Sequence, residues 1–239
     1  MTKPRKIGVL TIGQAPRADD TVAELLQVLG PGYAITERGA LDDLDPAEIE
    51  RYGPETGQYL LISLLRNGQS VTLSKQKILP LLQQKIDALG DDRVDAILLL
   101  CTGTFPQFKS DRLIVQPQEA LYHLMVGLGV GGKRIGALTP LTDQLAQARA
   151  KWHEYGVDPL LAAASPYTGA DEVTPAARDL AERGAELIFM VSPPTPGARA
   201  PANGPLNVRS VVSTARATRC RSARRGCCPR GSSRAGRNT

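Results

Sequence analysis

Cys101 is the only cysteine before residue 220 and opens the run Cys101-Thr102-Gly103-Thr104-Phe105-Pro106 directly after an apolar stretch. A thiol at the carboxyl end of a strand, followed by a turn that offers backbone N–H groups, can be held as a partial thiolate that takes or donates a proton. An unperturbed thiol, with a pKa of about 8.5, is only a few per cent ionised at neutral pH, so local donors must activate it. A buried cysteine at a strand end is equally an ordinary small hydrophobe. Both readings stand on position alone, and Thr102, Gly103 and Thr104 are the turn's candidates for contact with an anion.

A second candidate segment follows the first apolar run: Thr11, Gly13, Gln14 and Arg17. Glycine permits close approach of the backbone, while the hydroxyl and amide can orient a carboxylate or phosphate. Arg17 offers a bidentate clamp for such an anion, against the ordinary reading of a solvated charge near a helix start. Thr139, before Pro140, occupies the analogous place in the second half. His123 and His153 are scattered, with no Cys or carboxylate at ligand spacing, so no metal is expected. Asp42, Asp43 and Asp45 precede Pro46 and read as turn and capping residues. The glycine-rich run 127–132 precedes a strand instead of following one, the wrong context for a nucleotide fingerprint.

The elements that must position these residues alternate between strand and helix. Residues 6–12 read as a buried parallel strand, followed by a helix to Leu29 with Asp19 and Asp20 at its positive end. Residues 33–38 form a second strand. Residues 59–65 and 70–73 flank Asn67-Gly68, which supplies the positive-φ positions of a tight hairpin. Residues 75–89 place Ile78, Leu81, Leu82, Ile86 and Leu89 on one helical stripe that ends at Gly90. Residues 94–100 are a near-continuous apolar strand, as in a sheet covered on both faces. The plan then repeats: Ile135-Gly136-Ala137-Leu138-Thr139 restates Ile7-Gly8-Val9-Leu10-Thr11, and residues 186–190 restate 96–100. The expected fold class is therefore α/β, in two similar lobes with mainly parallel sheets flanked by helices. Loops at the carboxyl ends of the strands then face a shared cleft.

Composition changes abruptly at residue 191. The last 49 residues hold ten Arg, no Lys, Asp or Glu, no aromatic residue and three of the four cysteines. The formal charge of +5 belongs to this tail, since 19 basic and 24 acidic residues precede it. An arginine-rich arm for phosphates is one reading. A shifted reading frame is the other, and codon logic favours it: Cys227-Cys228-Pro229-Arg230 read one base downstream returns small, largely apolar residues. Under both readings the tail has too little apolar surface to order. The short apolar run after Lys6 meets Gln14, Pro16 and Arg17, so neither a cleaved leader nor a membrane span is expected. One cysteine in the foldable part points to a reducing, cytoplasmic setting.

Leu10-Thr11-Ile12-Gly13-Gln14-Ala15-Pro16-Arg17, the 60–73 hairpin with its Asn-Gly turn, and Leu98-Leu99-Leu100-Cys101-Thr102-Gly103 together resemble the AroM protein family over residues 6–190. That family in turn resembles the aspartate/glutamate racemase superfamily. The resemblance implies two α/β lobes, no cofactor, and paired cysteines acting as opposed acid and base on a small carboxylate. It gives Cys101 the place of the first-lobe cysteine, and Thr11, Gly13, Gln14, Thr102, Gly103 and Thr139 the binding loops. Family members continue after residue 190 with Asp-Cys, where this chain has Val191-Ser192, so the second lobe is expected to be incomplete and two-base chemistry impaired. The expected division is a first lobe over 1–115, a truncated second lobe over 116–190 and an aberrant tail over 191–239. The expected partner is a small carboxylate or anion, with neither a specific nucleic acid nor a membrane, and with a homodimer left open. A non-catalytic binding or regulatory protein linked to aromatic metabolism is the alternative.

Overall fold

A computed structural model describes residues 4–19, 21–127, 133–165 and 171–190; the expectations for Asp20, for the glycine-rich run beyond Gly127 and for 191–239 lie outside them. The first sheet has four parallel strands in the order β2-β1-β5-β6, from β1 (Arg5–Thr11), β2 (Tyr33–Gly39), β5 (Ala96–Leu100) and β6 (Leu113–Val115). The second has three, β8-β7-β9, from β7 (Ile135–Thr139), β8 (Leu160–Ala163) and β9 (Leu187–Met190), also parallel. Helices α1 (Thr21–Leu29), α2 (Pro46–Glu50), α3 (Lys75–Asp91), α4 (Pro117–Gly127), α5 (Leu145–Glu154) and α6 (Val173–Glu182) intervene. This is the α/β arrangement of two parallel sheets read from the sequence. The edge strands β6 and β8 escaped that reading because each is only three or four residues long.

In the second sheet the central strand β7 is buried at every residue, as expected of a strand covered on both faces. On the first sheet, the α3 stripe Ile78, Leu82, Ile86 and Leu89 packs against Leu10, Ile97 and Leu99, all essentially inaccessible. Each such side chain contributes about 1.5–3 kcal/mol relative to exposure. The second sheet is packed by Tyr122, Met125 and Trp152 in one cluster and by Leu180 and Ala185 in another.

The internal repeat is physical as well as textual. A Cβ on Gly8 would meet Leu89 and Val94, while one on Gly136 would meet Leu180 and Ala185. In each half a leucine near the helix end and the residue directly after the following turn fill the space that glycine leaves. Gly8 pairs with Ile97 and Gly136 with Ile188. Backbone bonds repeat as well, with Ala40 N–H to Thr11 O at 3.0 Å and Ala164 N–H to Thr139 O at 2.8 Å. Counting along these registers makes position 192, a serine, the counterpart of Cys101.

Two local expectations need correction. Helix α3 does not stop at Gly90: it runs to Asp91, and Arg93 takes the left-handed position at φ 56°. Arg93 N–H donates to Gly90 O at 2.9 Å and Val94 N–H to Leu89 O at 3.4 Å, the paired bonds of a Schellman ending. In the hairpin of β3 (Leu60–Leu64) and β4 (Ser70–Ser74), only Gly68 has positive φ. Gly68 N–H donates to Leu65 O and Leu65 N–H to Gln69 O, so the connection is a turn with a bulge, longer than a two-residue loop. Asp19 does lie at the start of α1, its Oδ1 accepting from Thr21 N–H at 3.4 Å, and Arg17 grips it as well. Asp45 does cap α2, its Oδ1 accepting from Glu48 N–H at 2.8 Å while Glu48 Oε2 accepts from Asp45 N–H at 2.9 Å.

Candidate functional site

Thr11 pairs with Leu100 across β1 and β5, so the loop from Thr11 and the turn from Cys101 leave the same edge of the first sheet. This is the carboxyl edge, where open α/β sheets take their ligands. Cys101 is half-buried and packs against the first core. Gly103 N–H points at its Sγ, 3.3 Å away. The hydrogen bonds from Gly103 and Thr102 and the charges of Lys151 and Arg17 all favour a thiolate, yet burial outweighs them and pushes the thiol pKa up. The sulfur therefore carries its proton at rest. A Cβ on Gly103 would lie 2.6 Å from Leu61 Cδ2, so any other residue at that point of the turn would require the buried Leu61 side chain to shift.

The first-strand loop is occupied by its own partners. Thr11 is buried, and its Oγ1 accepts from Gly13 N–H at 3.4 Å and from Arg17 Nη1 at 3.3 Å. The Arg17 fork grips Asp19: Nε donates to Oδ1 at 2.8 Å and Nη2 binds Oδ2. Both side chains are almost fully buried. Burial works to raise the Asp19 pKa, but the hydrogen bond and charge of Arg17 together lower it. Gln14 bridges loops, its Nε2 donating to Leu41 O and its Oε1 accepting from Arg66 N–H, each at 3.2 Å. Gly13 is wedged against the hairpin, where a Cβ would come within 2.2 Å of Leu64 O. Thr139, at the carboxyl end of β7, donates its hydroxyl to Leu141 O at 3.1 Å. The structure thus joins Thr11, Gly13 and Arg17, joins Cys101 to Gly103, and sets Gln14 and Thr139 in separate local networks.

Residues that the sequence reading passed over complete the surroundings of Cys101. Lys151, 5% exposed, extends from α5 of the second half and donates to Thr102 O at 3.2 Å. Its ammonium also lies 5.0 Å from the centre of the Tyr122 ring. Burial lowers its pKa to about 8, with Glu119 and Cys101 opposing the shift. Tyr59 is hydrogen-bonded to Thr104, and Lys75 lies 4.3 Å over its ring. Tyr155 donates to Glu119 and stacks on Tyr122 at 4.3 Å; burial, then Glu119, pushes its pKa up to about 12. A depression of about 550 Å³ lies alongside, lined in part by Tyr59, Leu60, Gln76, Asp143 and Gln147.

The sequence does carry a signal for this face. Gln144, Gln147, Lys151 and Glu154 recur at helical spacing and form one polar stripe, while Trp152 on another face enters the core. Gln144 and Gln147 both bond to Leu60 of the first half, and Lys151 to Thr102. Such a stripe reads as a solvated surface unless a second lobe is known to sit on it.

Among the described residues no three His, Cys, Asp or Glu side chains converge as a metal site, and no helix is long and apolar enough to cross a membrane. His153 pairs with Asp158 at 3.0 Å, and the His123 ring meets Tyr155 edge-on. A family model described as AroM protein matches residues 7–192, and the chain belongs to that family. No curated protein and no solved structure matches it.

Proposed function

We propose that this AroM family protein binds a small carboxylate where its two halves meet at Cys101, and that Cys101 exchanges one proton at the ligand's α-carbon without a cofactor. The observation that carries the reading is the approach of Lys151, a buried cation from the second half, to the cysteine turn of the first. A buried ammonium is costly unless something negative shares the site. A carboxylate there would relieve that cost, beside a cysteine turn whose Gly103 N–H is turned to Cys101 Sγ and whose Thr104 is held by Tyr59.

The chemistry is limited to one side. Racemisation needs an acid and a base on opposite faces of the carbon, and the position equivalent to Cys101 carries Ser192. In the one-base reaction the thiolate takes the α-proton, the C–H electron pair stays on the carboxylate-stabilised carbon, and the same thiol returns a proton to the same face. The raised thiol pKa supports a second reading, binding without turnover, because little thiolate is present at neutral pH. A cytoplasmic setting accords with a free cysteine used as a thiol.

Calorimetric titration of the full chain with each enantiomer of aspartate and glutamate and with short malonate-type acids tests the binding claim. Saturable binding of at least one acid, weakened by Lys151→Met, is expected. Absence of binding across the series, or binding indifferent to Lys151→Met, contradicts it.

A further inference from the structure

Beyond lining the site, we infer that Lys151 is the positioning residue that makes Cys101 usable as a base, its ammonium supplying across the joint between the halves the charge that a thiolate needs. This rests on Cys101 being the proton-transferring group.

Three observations converge. Lys151 is one of the few buried cations among the described residues, and its Nζ is held by Thr102 O, the carbonyl of the residue that follows Cys101. A single contact therefore sets both the charge and the turn whose Gly103 N–H reaches the sulfur. Second, the side chain is fixed from its other side by the Tyr122 ring, and Tyr122 is itself packed edge-on against Trp152 at 4.7 Å. The ammonium cannot swing into solvent without opening the second core. Third, burial alone would keep the thiol protonated, and the Lys151 charge is among the few influences working the other way.

The charges facing the pair are few. Arg17 adds a further favourable charge to Cys101. Around Lys151, Glu119 on α4 and Glu154 on α5 favour its protonated form, and Lys75 on α3 disfavours it. Tyr59 is in the field of both Cys101 and Glu154, each of which disfavours its ionisation. Near pH 7 the lysine is mostly charged and the thiol neutral; by about pH 8 half of the lysine has lost its proton, and above that its hold on the thiolate fades. Reactivity of Cys101 should accordingly rise less steeply with pH than that of an isolated thiol.

The test is alkylation of the reduced full chain by iodoacetamide from pH 6 to 10, followed by mass spectrometry of the tryptic peptide 94–109, which separates Cys101 from the three later cysteines. At pH 7, where the lysine is mostly charged, Lys151→Met is expected to slow Cys101 alkylation by about tenfold, the equivalent of one pKa unit. Lys151→Arg, which keeps a charge at every pH, should stay within about threefold of the parent at pH 8 and exceed Lys151→Met at pH 9 to 10. A Lys151→Met profile that overlays the parent overturns the inference, as does a Lys151→Arg profile as slow as Lys151→Met, which would assign the effect to shape. Should Lys151→Met unfold, Lys151→Gln replaces it under the same criteria. Because no carboxylate is present, failure here with carboxylate binding intact refutes this role alone.

Discussion

The side-chain amide of Gln147 pairs with both backbone groups of Leu60: its Oε1 accepts from the Leu60 N–H at 3.0 Å, and its Nε2 donates to the Leu60 carbonyl at 2.8 Å. An amide presents a donor and an acceptor side by side, as a neighbouring strand does. Helix α5 therefore docks on the free edge of β3 as if it were one more strand, and this docking carries Lys151 to Thr102 one helical turn further on. Gln144 reinforces the joint, donating to the same carbonyl at 3.1 Å.

Gln147→Ala should cost about 1–2 kcal/mol, because the Leu60 N–H loses its partner while Gln144 still serves the carbonyl. Gln147→Glu keeps the acceptor and should fall between the two. Urea unfolding together with amide exchange at Leu60 checks this; a stable Gln147→Ala with unaltered Leu60 protection would show that the halves are held elsewhere.

Arg17→Met should destabilise toward the lower end of the about 3–5 kcal/mol seen when a buried pair loses one member. Asp19 has a lowered folded-state pKa, so its contribution is full above its unfolded value near 4 and is lost as the pH falls through the acid range. Stability curves of the parent and Arg17→Met should therefore converge below about pH 4. Curves that stay parallel would contradict the pairing.

Glycine substitutions should separate by what the new Cβ meets. Gly8→Ala faces Leu89 methyl carbons at 3.0 and 3.1 Å, which can shift, and should cost about 1–3 kcal/mol. Gly13→Ala faces the Leu64 carbonyl at 2.2 Å, where backbone would have to move. Its cost should exceed about 4 kcal/mol. Equal melting temperatures for the two variants would refute the wedge at Gly13.

Arg93→Gly should stabilise by about 0.5–1 kcal/mol, since a non-glycine residue at positive φ costs about 1–2 kcal/mol and glycine gives part of that back as unfolded-chain entropy. Thermal unfolding reads this as a rise in Tm; a fall would mean that the exposed arginine makes a compensating contact.

The alternation of apolar runs with an α3 stripe was enough to read two parallel sheets, because burial on both faces leaves a nearly unbroken apolar strand such as 96–100. The Gly8 and Gly136 echo was legible for a physical reason as well: both glycines make room for a helix end. What the sequence concealed were the partners of long charged side chains. Lys151 reads as a solvated helix position until β3 and the cysteine turn are seen to lie against it. Arg17 reads as an anion clamp until Asp19 is seen in its fork, since two residues of spacing do not reveal which way a long side chain turns. Gly90 misled because a glycine near a helix end is normally its stop, whereas here the demand for positive φ falls three residues later on Arg93.

Proton exchange at the α-carbon tests the central claim most directly. The full chain is incubated in deuterated water with single enantiomers of aspartate, glutamate and short malonate-type acids, and both deuterium content and configuration are followed. The account expects slow incorporation of one deuteron with retained configuration for at least one acid that binds. Cys101→Ala should reduce it by about 10²–10⁴-fold, the usual contribution of a positioned acid–base group. Incorporation that survives Cys101→Ala, or efficient conversion to the mirror image, would show that Cys101 is not the one base of this site.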